Sequence, residues 1–148
     1  MVDINDKKMK LVKGKDVEHF EVKNLSGKKL GKVDDIVIDY KHGKIAYAIL
    51  SVGGFLGIGD KLYAIPWKAF EINPADKSLT LDVNEEELKE APSFEKNKWP
   101  DMDKVKWNTD IHYYYSIQPY WKYPAKMIED DTQTNNTEVK PKRNENEI

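Results

Sequence analysis

The residues of this chain that could do chemistry are a glycine-rich loop, three histidines, two adjacent aspartates and a crowd of aromatic rings. The loop, SVGGFLGIGDK over residues 51–61, invites comparison with phosphate-cradling loops. A P-loop must close on Gly-Lys-Ser/Thr and open a helix. Here Asp60 and Lys61 follow Gly59, no Ser or Thr comes next, and the residues beyond read as a strand. A dinucleotide fingerprint needs G-x-G-x-x-G between a strand and a helix of a parallel unit, and GGFLGIG has other spacing. Nucleotides and other cofactors are therefore not expected. His19, His42 and His112 lie far apart, without metal-ligand spacing among themselves or with nearby carboxylates, so no metal is expected, and His42 reads as a solvated turn residue. Asp34 and Asp35 are neighbours on a strand and point to opposite faces. Asp39 could share a face with Asp35, which suggests a solvated strand face rather than an acid–base dyad. No Gly-x-Ser-x-Gly elbow occurs. No catalytic residue can be named, and the chain is not expected to be an enzyme.

The aromatic rings concentrate between Pro92 and Met127, which holds Trp99, Trp107, Trp121, Tyr113, Tyr114, Tyr115, Tyr120 and Tyr123. A single-strand nucleic-acid platform interleaves such rings with Arg and Lys. Residues 112–123 contain Lys122 alone, and the net charge is −2. Wrapping a barrel or a second subunit is the better expectation, and nucleic acid is not an expected partner. No strong period runs through this region.

The elements that must position these residues follow from the patterning. At 148 residues, with 39% hydrophobic and 34% charged, the chain holds one domain's worth of core and some polar segments outside it. The absence of cysteine excludes disulfides and thiol chemistry and suits a reducing compartment. No apolar run has signal-peptide or membrane-spanning length, so a cytoplasmic location without membrane insertion is expected. From Lys15 to Val83 the apolar residues alternate. KIAYAILSV places Ile45, Tyr47 and Ile49 on one face and Ala46, Ala48, Leu50 and Val52 on the other, a central strand covered on both sides. VDDIVIDY sends Ile36, Ile38 and Tyr40 one way and Asp35, Val37 and Asp39 the other, a half-exposed strand. Gly43 is placed for the positive φ of the hairpin between them, and residues 25–28 form the turn before. KLYAIPW and SLTLDV are shorter strands separated by NPADK, where Pro74 presets a turn. Pro66 belongs at a strand end or a sheet edge. In NEEELKEAP, Asn84 caps a helix, Glu87 completes a capping box, and Pro92 limits it to about two turns.

The order of these features also resembles a known family. LSGKKLGKVDDIVID, GKIAYAILSVGG, the glycine loop and DKLYAIPW, together about Lys13 to Val83, are similar to the PRC-barrel domain. The resemblance implies a small antiparallel β-barrel, here with a short helix and an aromatic-rich C-terminal extension, and no catalytic residues. It implies a binding or adaptor module, often self-associating, and as the alternative an RNA- or ribosome-associated assembly role. The expected organisation is a flexible N-terminus (1–12), the barrel (13–91), the aromatic-rich extension (92–128) and a disordered polar tail (129–148). The glycine loop either folds Phe55, Leu56 and Ile58 back onto its own barrel or displays them to a partner. With Trp107 and Tyr114 they are the expected contact residues, and the expected partner is a second copy of the chain, a homodimer.

Overall fold

The computed structural model of the chain describes residues 8–53 and 60–122. Phe55, Leu56 and Ile58, the first part of the expected flexible N-terminus and the polar tail lie outside the described residues. Residues up to Ile117 form one compact unit. In chain order it holds α1 (Gly14–Val17), β1 (Glu21–Lys23), β2 (Lys29–Asp39), β3 (Lys44–Val52), β4 (Lys61–Pro66), β5 (Phe70–Asn73), β6 (Ser78–Leu81), α2 (Glu85–Lys89), β7 (Phe94–Glu95) and α3 (Val105–Tyr114). The second unit, from Gln118 on, contributes a 3-10 turn at Tyr120–Lys122 in which the Tyr120 and Trp121 rings meet edge-on.

The seven strands form one sheet in the order β5-β6-β1-β2-β3-β4-β7. Two features depart from a closed antiparallel barrel. β1 pairs with β6 in parallel, Val22 opposite Leu79. Parallel neighbours need a long connection, and β2 to β5 intervene between these two. No ladder among the described residues joins β5 to β7, so the sheet is open. It is nevertheless strongly curved. Val22 of β1, Val33 of β2, Leu50 of β3, Ile65 of β4 and Leu79 of β6 are all fully buried in one apolar cluster, although β6 and β4 stand three strands apart. Leu88 and Ala91, from α2 and just after it, close that cluster.

β3 earns its central place through its two apolar faces. Ala48 and Leu50 enter the first cluster, while Tyr47 and Ile49 enter a second one on the opposite side. The register slips once between Val33 and Asp35 and again between Val37 and Ile38. The second slip leaves Ala46 as an extra residue and turns it into the second cluster rather than the first. Gly43 takes φ 67°, as its hairpin requires. Pro66 is the last residue of β4, and Asn73 caps the 3-10 turn that Pro74 opens. The capping box of α2 is complete: the Asn84 side chain accepts from the Glu87 N–H at 2.7 Å, and Glu87 accepts from the Asn84 N–H at 2.9 Å.

Residues 92–127 were read as an aromatic-rich wrap without a strong period of their own; within them the structure forms α3, a helix of ten residues. Its N-cap, Lys104, offers no side-chain hydrogen bond. The Asn108 amide instead donates to Met102 O at 2.8 Å and Lys104 O at 2.7 Å, fixing the segment that enters the helix. The helix is then held by packing. Trp107 and Ile111, four residues apart on one side, lie in the second cluster against Tyr47, Ile49, Leu62 and Ala64.

Candidate interaction surface

The second cluster contains a polar seam. The Tyr47 hydroxyl donates to Asn108 Oδ1, and the Tyr47 ring receives Trp107 edge-on at 5.5 Å between centroids. His112 is almost wholly buried, with Nδ1 at 2.9 Å from the Asn108 carbonyl oxygen. A carbonyl only accepts, so the proton sits on Nδ1. Burial pulls the His112 pKa below its ordinary value, and that hydrogen bond partly opposes the shift. Burial, with the Asp39 charge as the smaller cause, pushes the Tyr47 phenol well above its usual range. Both rings are therefore neutral near pH 7. They clamp α3 to the sheet. At the end of α3 the Tyr114 hydroxyl donates to the Glu87 carbonyl at 2.6 Å, tying the helix to α2.

Beside the seam, Ala64, Pro92, Ser93, Phe94, Pro100, Trp107 and Ile111 line a cavity of about 40 Å³. Sites for small organic ligands run to roughly 300–1,000 Å³, so this space suits a water or the end of one side chain. No cluster of three metal-ligating side chains exists among the described residues. His42, expected to be solvated, pairs with Asp39: Nδ1 and Oδ2 are 2.8 Å apart. The turn explains it, because Asp39 also accepts from the Lys41 and His42 backbone N–H groups and so holds the imidazole beside its carboxylate.

The most exposed apolar side chains within the sheet belong to the β2–β3 hairpin. β1 pairs with β2 only as far as Lys32, and the last bonds on that side join Val33 to His19 and Phe20. On the other side, β4 pairs with β3 only from Tyr47 onward. The outer part of the hairpin therefore runs beyond both neighbours as a two-stranded ribbon. On it Ile38 faces Ile45 across the ladder, and the two are 63% and 37% exposed; Tyr40, at the tip, is 94% exposed.

Of the expected contact residues, Tyr114 is exposed, while Trp107 is half-buried against its own Tyr47. Phe55, Leu56 and Ile58 are not described, but the base of their loop is. Val52 pairs with Lys61, and the Ser51 hydroxyl donates to Asp60 Oδ2 at 2.8 Å. That base lies at the opposite end of β3 from the ribbon tip. Sequence alternation grouped Ile36, Ile38 and Tyr40 on the apolar face and read the Asp35 and Asp39 face as the solvated one; the structure instead leaves Ile38 and Tyr40 exposed, because the ribbon outruns β1 and β4.

A strongly curved mixed sheet, with a long β2–β3 hairpin and a capped helix after β6, agrees with the family match: the model of the PRC-barrel domain covers residues 9–88. The chain belongs to the PRC-barrel family. The matched span stops before β7 and α3, so the aromatic seam is built on the PRC barrel by residues outside the match. Among solved structures, a crystal structure described as a 16S ribosomal RNA processing protein, RimM, of Pseudomonas aeruginosa is similar at 15% identity and a TM-score of 0.37. The match covers 54% of this chain and 48% of that one, so this chain spans about half the length of that protein. None of the curated proteins matches the chain. No described helix is long and apolar enough to cross a membrane.

Proposed function

We propose that this PRC-barrel chain is a non-catalytic protein-interaction module, an adaptor that self-associates as a homodimer in the cytoplasm and needs no cofactor. The observation that carries the reading is the projecting β2–β3 ribbon, where Ile38, Ile45 and Tyr40 face solvent on one hairpin. Apolar side chains grouped on an otherwise polar chain mark contact surfaces. Burying each would contribute roughly 1.5–3 kcal/mol before association costs. The loop carrying Phe55, Leu56 and Ile58, the exposed Tyr114 and the outer edge of Trp107 belong to the same proposed contact function, at other places on the unit.

Light scattering tests the reading. A dimer at tens of micromolar is expected, and a monomer there would refute self-association. Capture of partners from lysate with and without ribonuclease separates a protein adaptor from an RNA-associated role: protein partners should survive the nuclease, and their loss would replace this reading with the other.

A further inference from the structure

The segment ahead of α1 differs in character from the rest of the chain. From Lys8 to Lys15 every residue is exposed, and the run holds four lysines, Lys8, Lys10, Lys13 and Lys15, with no acidic residue among them. In the sequence Lys7 adds a fifth, and the nearest acids are Asp6 on one side and Asp16 on the other. None of the four forms an ion pair with a described residue, whereas Lys23, Lys28, Lys29, Lys96 and Lys106 all do. Between the lysines stand Met9, Leu11 and Val12, and Met9 and Leu11 are 76% and 81% exposed. The segment is rooted at its far end. Val17 and Phe20 are buried in the first apolar cluster, the Val17 N–H donates to the Lys13 carbonyl at 3.2 Å, and the His19 N–H donates to the Val33 carbonyl of β2 at 2.9 Å. The basic run therefore leaves the barrel from a fixed point on its surface.

A surface that meets this segment has to offer negative charge and apolar cover in the same place. An anionic bilayer offers both: its headgroups attract lysines, and the boundary beneath them accepts small numbers of apolar side chains. Lysine suits that boundary, because its stem can lie along apolar surface while the ammonium stays among the phosphates. Nucleic acid offers the phosphates alone. It would leave Met9 and Leu11 in water, and residues 8–15 contain no arginine and no aromatic ring to stack on a base. The overall charge of −2 gives the protein no general attraction to anions, so any such contact has to come from this local run.

We infer that residues 8–15 are a peripheral membrane contact, which settles on an anionic lipid surface with Met9, Leu11 and Val12 below the headgroups and the four lysines among them. The inference goes beyond the protein contacts proposed above and does not depend on self-association. A single short segment of this kind gives reversible adsorption rather than a stable anchor.

Co-sedimentation of the full chain with lipid vesicles tests it. At low salt, binding to vesicles of phosphatidylcholine with phosphatidylserine should exceed binding to phosphatidylcholine alone severalfold, and high salt should remove the difference. Lys8→Glu/Lys10→Glu should bring binding down to the level of the neutral vesicles. Lys68→Glu/Lys98→Glu makes the same change of net charge at exposed positions elsewhere and should leave binding as it is. Leu11→Ser, with the charge kept, should weaken binding severalfold. All of these positions are exposed, so the core is spared. Equal binding to the two kinds of vesicle overturns the inference, and so does an equal loss in the two glutamate variants. Binding to anionic vesicles that Leu11→Ser leaves intact overturns the insertion of apolar side chains. Binding to single-stranded RNA that exceeds vesicle binding and is lost in Lys8→Glu/Lys10→Glu would assign the segment to nucleic acid instead. A wild type that is monomeric yet binds anionic vesicles refutes the proposed self-association and leaves this inference standing.

Discussion

The seam beneath α3 makes a sharp contrast possible, because two tyrosines there differ in one respect. The Tyr47 hydroxyl donates to Asn108 Oδ1. The Tyr115 hydroxyl is equally shielded from water but has no hydrogen-bond partner among the described residues. Tyr→Phe removes the same oxygen from each. At Tyr47 the change loses a hydrogen bond with a net value of about 0.5–1.5 kcal/mol and strips a shielded amide acceptor of its partner, so a loss of about 1–2 kcal/mol is expected. At Tyr115 it removes an oxygen whose desolvation nothing offsets, so the variant should be neutral to about 1 kcal/mol more stable. Urea unfolding measures both. With a slope of roughly 1–3 kcal/mol/M for a small domain, the Tyr47→Phe midpoint should fall by about 0.3–2 M, and the Tyr115→Phe midpoint should hold or rise. Combined with Asn108→Ala, Tyr47→Phe should show coupling of at least about 0.5 kcal/mol, because the two residues share one bond. Equal losses in the two Phe variants, or additivity with Asn108→Ala, would refute this account of the seam.

Three further outcomes follow from single positions. A Cβ on Gly31 would stand 2.4 Å from the Ser51 carbonyl oxygen, a ladder atom that cannot step aside; Gly31→Ala should therefore cost about 1–3 kcal/mol. Gly14→Ala, where a Cβ meets nothing within 4 Å, is the control, and equal melting temperatures for the two would sink the argument. Asn84→Ala removes the cap of α2 and should cost about 1 kcal/mol in denaturant unfolding, while an unchanged midpoint would deny the capping box a role. Because burial lowers the His112 pKa in the folded chain, the unfolded chain takes up the proton first as the pH falls. The contribution of neutral His112 should be complete above about pH 6.5 and decline as the pH drops through the folded value. His112→Gln should flatten that decline in midpoints measured from pH 8 to 5, and an unaltered profile would assign the acid sensitivity elsewhere.

How much of this was legible in the sequence depended on how local each determinant is. The two-faced β3, the Gly43 hairpin, the Pro66 strand end and the Asn84 capping box each rest on a residue and its near neighbours, and the structure repeats them. The parallel β1–β6 pair was not readable, because it joins residues more than fifty positions apart and β1 is three residues long. The helix α3 escaped for a different reason. Its sequence, VKWNTDIHYY, is full of β-branched and aromatic residues that disfavour an isolated helix, and it has no capping side chain in front. The one available signal was the four-residue spacing of Trp107 and Ile111, which the surrounding tyrosines masked as a general aromatic excess. Tertiary packing on Tyr47 settles its conformation, and packing has no local sequence signature.

The same distinction bears on the contact surface. Loop composition drew attention to Phe55, Leu56 and Ile58, because glycines beside apolar residues are conspicuous in a sequence. The ribbon draws attention for a reason that exists only in three dimensions: β2 outruns β1 by the stretch from Asp34 to Asp39, and β3 outruns β4 at Lys44 to Ala46. Alternation placed Ile38 and Tyr40 on the apolar face of a half-exposed strand, and neither their exposure nor the open edge beside them could be read from it. An uncovered face asks only for apolar cover, whereas an uncovered edge also asks for backbone partners, and only another extended chain supplies both.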